Sequence, residues 1–327
     1  MIAADLLRAT MAIGFSEPVA RRGLDAELAV WDDTAVRAQI EREVGAREPR
    51  PKNVLVIAAR TLPASTMRQV YAARALGARV IVKSASGQEA IGEALAHADP
   101  QVVATPFASC DTAALDRTIG ESDAVVVLGG DETVESVRAR VPLAKHFVPH
   151  GHRASAAWLA DDAPDDALRG LAEDLCAWDQ AGCLAPQWVW VEGDVTRLMT
   201  RLAPHVEAVE RALPMPPDPR VVHARRAASA IALTAGGQVT TTGTAMLATH
   251  PESRARGSPG HRFLWLLPAS LDALTSFAPH LSTLGALAPP KALPRHTRLA
   301  TPGTMQRPPL DWAQDGLPLF ASLVRAH

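Results

Sequence analysis

Between Val54 and Leu128 short apolar runs alternate with stretches of about ten residues that have helical character, and this alternation leaves the chain few folds to choose from. Val54-Leu55-Val56-Ile57-Ala58, Arg79-Val80-Ile81-Val82, Gln101-Val102-Val103-Ala104 and Asp123-Ala124-Val125-Val126-Val127-Leu128 read as strands. Helical sequence fills the gaps from Thr66 to Leu76, where Gly77 closes it, from Gln88 to Ala98, and from Asp111 to Ile119. A continuous apolar strand must be covered on both faces, and the intervening helices supply both the cover and the crossovers. The expectation is a Rossmann-like, parallel, doubly wound sheet.

The flanking sequence is less regular. Residues 1–50 form a polar, helix-prone lead-in without a long apolar face, and Glu48-Pro49-Arg50-Pro51 breaks it before the nucleotide-binding domain at 51–150. A second α/β domain is expected over 151–300. It has a helix face at Leu171, Leu175 and Trp178, a strand at Trp188-Val189-Trp190-Val191, and helical sequence from Val195 to Leu213 that Pro204 should kink or split. Pro214-Met215-Pro216-Pro217 is a breaker. Val239 to Thr244 and Phe263 to Pro268 read as strands, and Leu271 to Phe277 as a helix. Residues 301–327 form a closing segment.

Composition excludes several function classes. The 33 Lys and Arg nearly balance the 35 Asp and Glu, and no basic run exceeds Arg21-Arg22 or Arg225-Arg226, so nothing favours a nucleic-acid partner. No apolar run reaches membrane-spanning length, and an acid stands in Met1-Ile2-Ala3-Ala4-Asp5-Leu6-Leu7-Arg8, which argues for a cytoplasmic protein without a membrane partner. Cys110, Cys176 and Cys183 contain no CxxC, so neither a disulfide framework nor a metal site is expected.

Four features carry chemistry by residue type. Cys183 lies between Gly182 and Pro186, either presented on an irregular loop as a nucleophile or packed as a small hydrophobe. Gly129-Gly130 ends a strand and opens a helix, which suits either a phosphate or merely a tight turn. Asp131 and Glu132, which follow, are expected to point outward. Lys83 ends a strand, as a ligand contact or a solvated charge. Trp188 and Trp190 line an acyl channel or belong to the core.

The run Trp178-Asp179-Gln180-Ala181-Gly182-Cys183-Leu184-Ala185-Pro186-Gln187 resembles the cysteine segment of the LuxC-type acyl-CoA reductases, a branch of the aldehyde dehydrogenase superfamily. Pro149-His150-Gly151-His152-Arg153 resembles their glycine-histidine-arginine segment. Arg298 to Gly316 resembles their closing pattern of glycine-methionine, proline, tryptophan and aspartate-glycine, carried here by Gly303, Met305, Trp312 and Asp315-Gly316. Together the resemblance spans Val54 to Leu323.

The resemblance implies an aldehyde dehydrogenase-like α/β fold and NADPH-dependent reduction of an acyl thioester to an aldehyde through Cys183, in fatty acid metabolism. It makes Lys83 the contact to the adenosine ribose and sets Gly129 and Gly130 beside the pyrophosphate. Three residues beyond the lysine stands Ser86, where an NAD-specific site often carries a carboxylate, so NADPH should be tolerated. The glutamate that activates water in oxidising members has no counterpart near His150 and His152, which either polarise the thiol, hold coenzyme A phosphates, or are exposed loop histidines. Thr61 stands where the family has an asparagine that holds the thioester oxygen. The substrate is an acyl-CoA or acyl carrier protein, with partner enzymes and a homo-oligomer left open. The alternative is a degenerate member that binds a partner enzyme or acyl carrier without redox turnover.

Overall fold

The computed structural model describes residues 4–46, 50–216, 218–291, 293 and 297–324. The proline break expected at Glu48-Pro49 and the last residue of the Pro214–Pro217 breaker lie outside the described residues. Met1–Gly14, Gly23–His152 and Pro309–His327 form one compact unit, and Phe15–Arg22 with Arg153–Pro308 forms another.

The lead-in is three helices, α1 (Ala4–Ala12), α2 (Glu17–Leu28) and α3 (Asp33–Glu43); Asp32 caps α3 by accepting the N–H groups of Thr34 and Ala35 at 3.0 Å. The alternation then follows: β1 (Asn53–Ile57), α4 (Pro63–Ala75), β2 (Arg79–Lys83), α5 (Glu89–Ala98), β3 (Val102–Ala104), α6 (Thr112–Gly120), β4 (Ala124–Leu128), α7 (Asp131–Arg138) and β5 (His146–His150). These strands pair in the order β3-β2-β1-β4-β5, every pair parallel. All five residues of β4 are buried, as a central strand covered by helices on both faces demands. Leu55, Ile57, Ile81, Val125 and Val127 build one face's core with Ile119 of α6 and Val137 of α7.

The second unit holds β6 (Ala154–Ala160), α8 (Asp165–Cys176), β7 (Pro186–Glu192), α9 (Val195–Ala212), α10 (Pro219–Thr234), β8 (Val239–Thr242), β9 (Ala245–Thr249), β10 (Phe263–Pro268), α11 (Leu271–Phe277), β11 (Leu281–Ala286) and β12 (Arg298–Ala300). Its sheet runs β12-β11-β6-β7-β10-β9-β8, parallel except for the β8–β9 pair. Both units are therefore α/β.

One sequence expectation changes here, and one pair of alternatives is decided. Pro204 neither splits nor ends its helix: α9 runs from Val195 to Ala212, because Leu198, Met199 and Leu202 before the proline and Val206 after it are buried in one core. Trp188 and Trp190 are 1% and 0% exposed and meet edge to face at 5.4 Å, while Phe277 closes on Trp188 at 4.8 Å. They are core residues and not the walls of a channel.

The C-terminal segment divides. Gly303 and Met305 pack in the second unit, where a side chain at Gly285 would collide with Met305, and the tail from Pro309 packs in the first. There Glu43 accepts the backbone N–H groups of Phe320 and Ala321 at 2.7 and 3.0 Å, and Arg68 donates to the Pro309 carbonyl.

Candidate active site

In the first unit the expected coenzyme residues, and Thr61 expected at the thioester oxygen, lie at or just after the carboxyl ends of three neighbouring strands. Thr61 is exposed in the bend between β1 and α4; Lys83 ends β2; Ser86 is exposed in the turn before α5; Gly129 and Gly130 join β4 to α7. The strands behind them are adjacent in the order β2-β1-β4, and the Gln88 side-chain amide donates to the Arg60 carbonyl, tying the Ser86 turn to the Thr61 bend.

Lys83 is buried, its ammonium donates to Ser109 Oγ at 3.2 Å, and it stands 5.6 Å from the centre of the Phe107 ring. Burial pushes its pKa down, and the charge of Glu89 pushes partly back. Two strands along the sheet, Gly130 supplies no side-chain cap to α7, and a Cβ added there would meet open space, so backbone N–H groups are approachable. Both acids after it are exposed; Asp131 Oδ1 accepts the backbone N–H of His152 at 2.8 Å and occupies the space a side chain at Gly151 would need. The residues present thus fit a dinucleotide: a cation at a strand end, an uncovered helix N-terminus, and one of the two nearby carboxylates engaged by backbone.

The histidines do not form a pair of exposed loop residues. His152 is exposed, but His150 is the buried last residue of β5; its Nδ1 lies 3.0 Å from Asp315 Oδ2 and its Nε2 lies 3.4 Å from the Gln69 amide. Parallel pairing sets it against Leu128, and its carbonyl accepts the Gly129 N–H at 3.1 Å. The Asp315-Gly316 element of the tail is thereby anchored to the strand beside the glycine turn.

In the second unit, Cys183 stands half-buried in a turn closed by the Ala185 N–H on the Gly182 carbonyl at 3.1 Å, immediately before β7. The approach to that turn is strained. Trp178, Asp179 and Gln180 have φ values of 51°, 50° and 64°, a left-handed run that costs on the order of 1 kcal/mol per residue for side chains with a Cβ.

Contacts from distant parts of the chain hold this conformation. Gln180 donates to the carbonyls of Pro186 at 2.8 Å and Phe263 at 2.7 Å, and accepts the Phe263 N–H at 2.8 Å. Asp179 Oδ1 accepts from Arg262 Nε at 3.1 Å and Nη2 at 2.5 Å, with Arg262 fully buried. Glu210 stands 3.8 Å from the same guanidinium and accepts the Thr244 N–H at 2.8 Å, while Arg225 donates to the carbonyls of Thr244 and His261. Burial raises the Asp179 pKa, which Arg262 opposes, and lowers that of Arg225 to about 10. Buried Ser155 donates to the Cys183 carbonyl at 2.7 Å and accepts the Thr283 N–H at 3.2 Å. The cysteine's backbone is therefore fixed by Ser155 from outside its segment, and the run before it by Asp179 and Gln180 pairing with Arg262 and Phe263.

The other cysteines differ. Cys176 is buried in α8, and burial pushes its thiol up to about 12, so it stays protonated; Cys110 is exposed in the loop before α6.

Sequence reasoning missed Asp174, Arg262, Glu210, Ser155 and Glu89. The first four pair with residues far away in sequence, so no local signal marks them, while Glu89 lies outside the expected spacing from Lys83.

The sequence profile of the family described as acyl-CoA reductase (LuxC) matches residues 71–310, well over half of the chain. No curated protein matches. Solved structures do: an oxidoreductase from Marinobacter aquaeolei has a TM-score of 0.76 at 12% identity, covering 97% of this chain and 79% of its own. An aldehyde dehydrogenase from Brucella melitensis biovar abortus has a TM-score of 0.71 at 15% identity, covering 92% and 73%. The NADP-dependent glyceraldehyde-3-phosphate dehydrogenase from Bacillus halodurans, complexed with NADP, has 0.68 at 13%, covering 98% and 80%. At such identities the likeness establishes the aldehyde dehydrogenase fold.

Proposed function

Because the chain belongs to the acyl-CoA reductase (LuxC) family and is an aldehyde-forming acyl reductase, we propose that it reduces an acyl-CoA or acyl carrier thioester through Cys183, with NADPH as reductant. The observation that carries this reading is the Cys183 turn, a half-buried thiol on a strained backbone that buried side chains lock in place.

The Cys183 thiolate attacks the thioester carbonyl and forms a new carbon–sulfur bond. The bond to the coenzyme A or carrier sulfur breaks, and that thiolate leaves. NADPH, when bound, supplies the hydride that converts the acyl-enzyme to the aldehyde. Cys183 is released as the thiolate, ready for another cycle. The Cys183 backbone N–H and the Thr61 hydroxyl hold the developing oxyanion, and Lys83, Gly129 and Gly130 hold the coenzyme. No water-activating carboxylate is assigned a part, and the acyl-enzyme persists until hydride arrives.

Incubation with an acyl-CoA and no NADPH tests the reading. One acyl group should add to the protein and map to the peptide containing Cys183, and later addition of NADPH should discharge it as aldehyde. A protein that stays unlabelled, or that carries the label elsewhere, refutes the mechanism. The non-redox alternative rests on Thr61, whose hydroxyl is shorter than the asparagine amide it replaces. Acylation without any NADPH oxidation would favour it.

A further inference from the structure

Glu89 opens α5, and its Oε1 accepts the backbone N–H of Gly87 at 3.0 Å, which folds the carboxylate back over the turn that holds Ser86. In sequence it stands six residues after Lys83 and three after Ser86. The spacing that singled out Ser86 therefore passes it by.

In space it belongs to the same turn. Ser84, the first residue after β2, packs against α5 so closely that a side chain at Gly92 would collide with its hydroxyl, which brings the start of the helix onto the end of the strand. Hydrogen bonds from its own backbone N–H and from that of Gly87 hold the Glu89 carboxyl below the usual range, so it is ionised at neutral pH. Its charge acts on Lys83, raising an ammonium that burial lowers.

This inference rests on the proposed role of Lys83 as the ribose contact. We propose that Glu89, rather than the residue at position 86, discriminates between the two nicotinamide coenzymes. A 2′-hydroxyl beside Lys83 can donate to a carboxylate, whereas a 2′-phosphate brings about two negative charges against it. With Ser86 offering no charge, Glu89 is the carboxylate that the phosphate meets on this turn, so NADPH, the proposed reductant, binds less tightly than Lys83 and Ser86 alone would allow. Its N-terminal place in α5 would also favour an acid there for helix stability alone, so the test must read coenzyme preference and not stability.

Glu89→Gln keeps an amide oxygen that can accept the Gly87 N–H, which preserves the turn while removing the charge. NADPH and NADH are titrated by fluorescence into the wild-type protein, Glu89→Gln and Lys83→Ala. Glu89→Gln should tighten NADPH binding about threefold to tenfold and leave NADH unchanged or weaker, with the gain shrinking at high salt. Lys83→Ala should weaken both coenzymes. If both bind and the ratio does not move in Glu89→Gln, the assignment of Glu89 fails and a capping role is all that remains. If neither coenzyme binds the wild type, or if Lys83→Ala binds both undiminished, the coenzyme site itself is misplaced and this inference falls with it.

Discussion

The two turns that carry the chemistry are built in opposite ways. In the first unit, the turns after β2 and β4 are short strand-to-helix connections whose shape comes from neighbours in sequence: Glu89 on Gly87, and Gly130 opening α7. In the second unit, the turn that carries Cys183 stands on a left-handed run that local sequence disfavours, and Arg262, Phe263, Ser155 and Pro186 hold it there. A site that binds a phosphate can be made from backbone and a helix end. A nucleophile that must meet a carbonyl at one angle needs its backbone fixed from several sides.

The largest expected effect falls on the nucleophile. Cys183→Ala should abolish both acyl labelling by mass spectrometry and NADPH oxidation, while Cys176→Ala and Cys110→Ala should keep both, since one thiol is buried and protonated and the other lies in the first unit's loop before α6. Labelling that survives the loss of Cys183 would erase the contrast between the two turns.

Next comes the lock beneath it. Asp179→Asn leaves the Arg262 charge buried with only Glu210 at 3.8 Å, and breaking a buried pair costs about 3 kcal/mol. Urea unfolding should show that loss, and acylation by an acyl-CoA should slow even at temperatures where the variant is folded. Coenzyme titration should be unaffected. If NADPH affinity fell in parallel with acylation, the two turns would not be separately built.

A gain is expected at Thr61. Thr61→Asn restores a longer amide donor, and if Thr61 serves the oxyanion, single-turnover acylation should quicken by about tenfold to a hundredfold. An unchanged rate would remove Thr61 from the site.

The smallest effect concerns pH. Buried Asp174 of α8 accepts the backbone N–H groups of Gly303 at 2.6 Å and Met305 at 3.1 Å, tying the Gly303–Met305 loop to the helix that leads into the cysteine turn. Burial raises its pKa from 3.8 to about 7, against the lowering by those hydrogen bonds and by Arg298. The folded state therefore holds this proton more tightly than the unfolded chain, and the stability it contributes is full below about pH 4 and lost as pH rises through about 7. Urea midpoints measured between about pH 5 and pH 8 should fall with this slope in the wild type and flatten in Asp174→Asn. Parallel slopes in the two proteins would rule Asp174 out as the titrating group.

Much of the first unit was legible because its signals are local. Each strand from β1 to β4 is a continuous apolar run, each following helix is short, and the strand ends fell within a residue or two of their expected positions. The second unit was harder to read. β6 is Ala154-Ser155-Ala156-Ala157-Trp158-Leu159-Ala160, alanine-rich and without a β-branched residue, so its sequence carries no strand signal; it is a strand because β7 and β11 pair with it on either side. The proline rule, which is local, predicts a kink or a split at Pro204, and burial of both halves of α9 in one core keeps the helix continuous.

The sequence by itself therefore determined the parallel α/β class, the strand-end positions of Lys83 and Gly129-Gly130, and the cysteine segment, since each depends on residues within one turn of one another. The tertiary structure alone decided that Trp188 and Trp190 are core, that His150 is buried against Asp315, and that the Glu89 carboxylate folds back onto the turn that follows Lys83. It also decided that Asp179 and Gln180 can keep a left-handed backbone ahead of Cys183, because that strain is offset only by partners such as Arg262 and Phe263, which lie more than eighty residues along the chain.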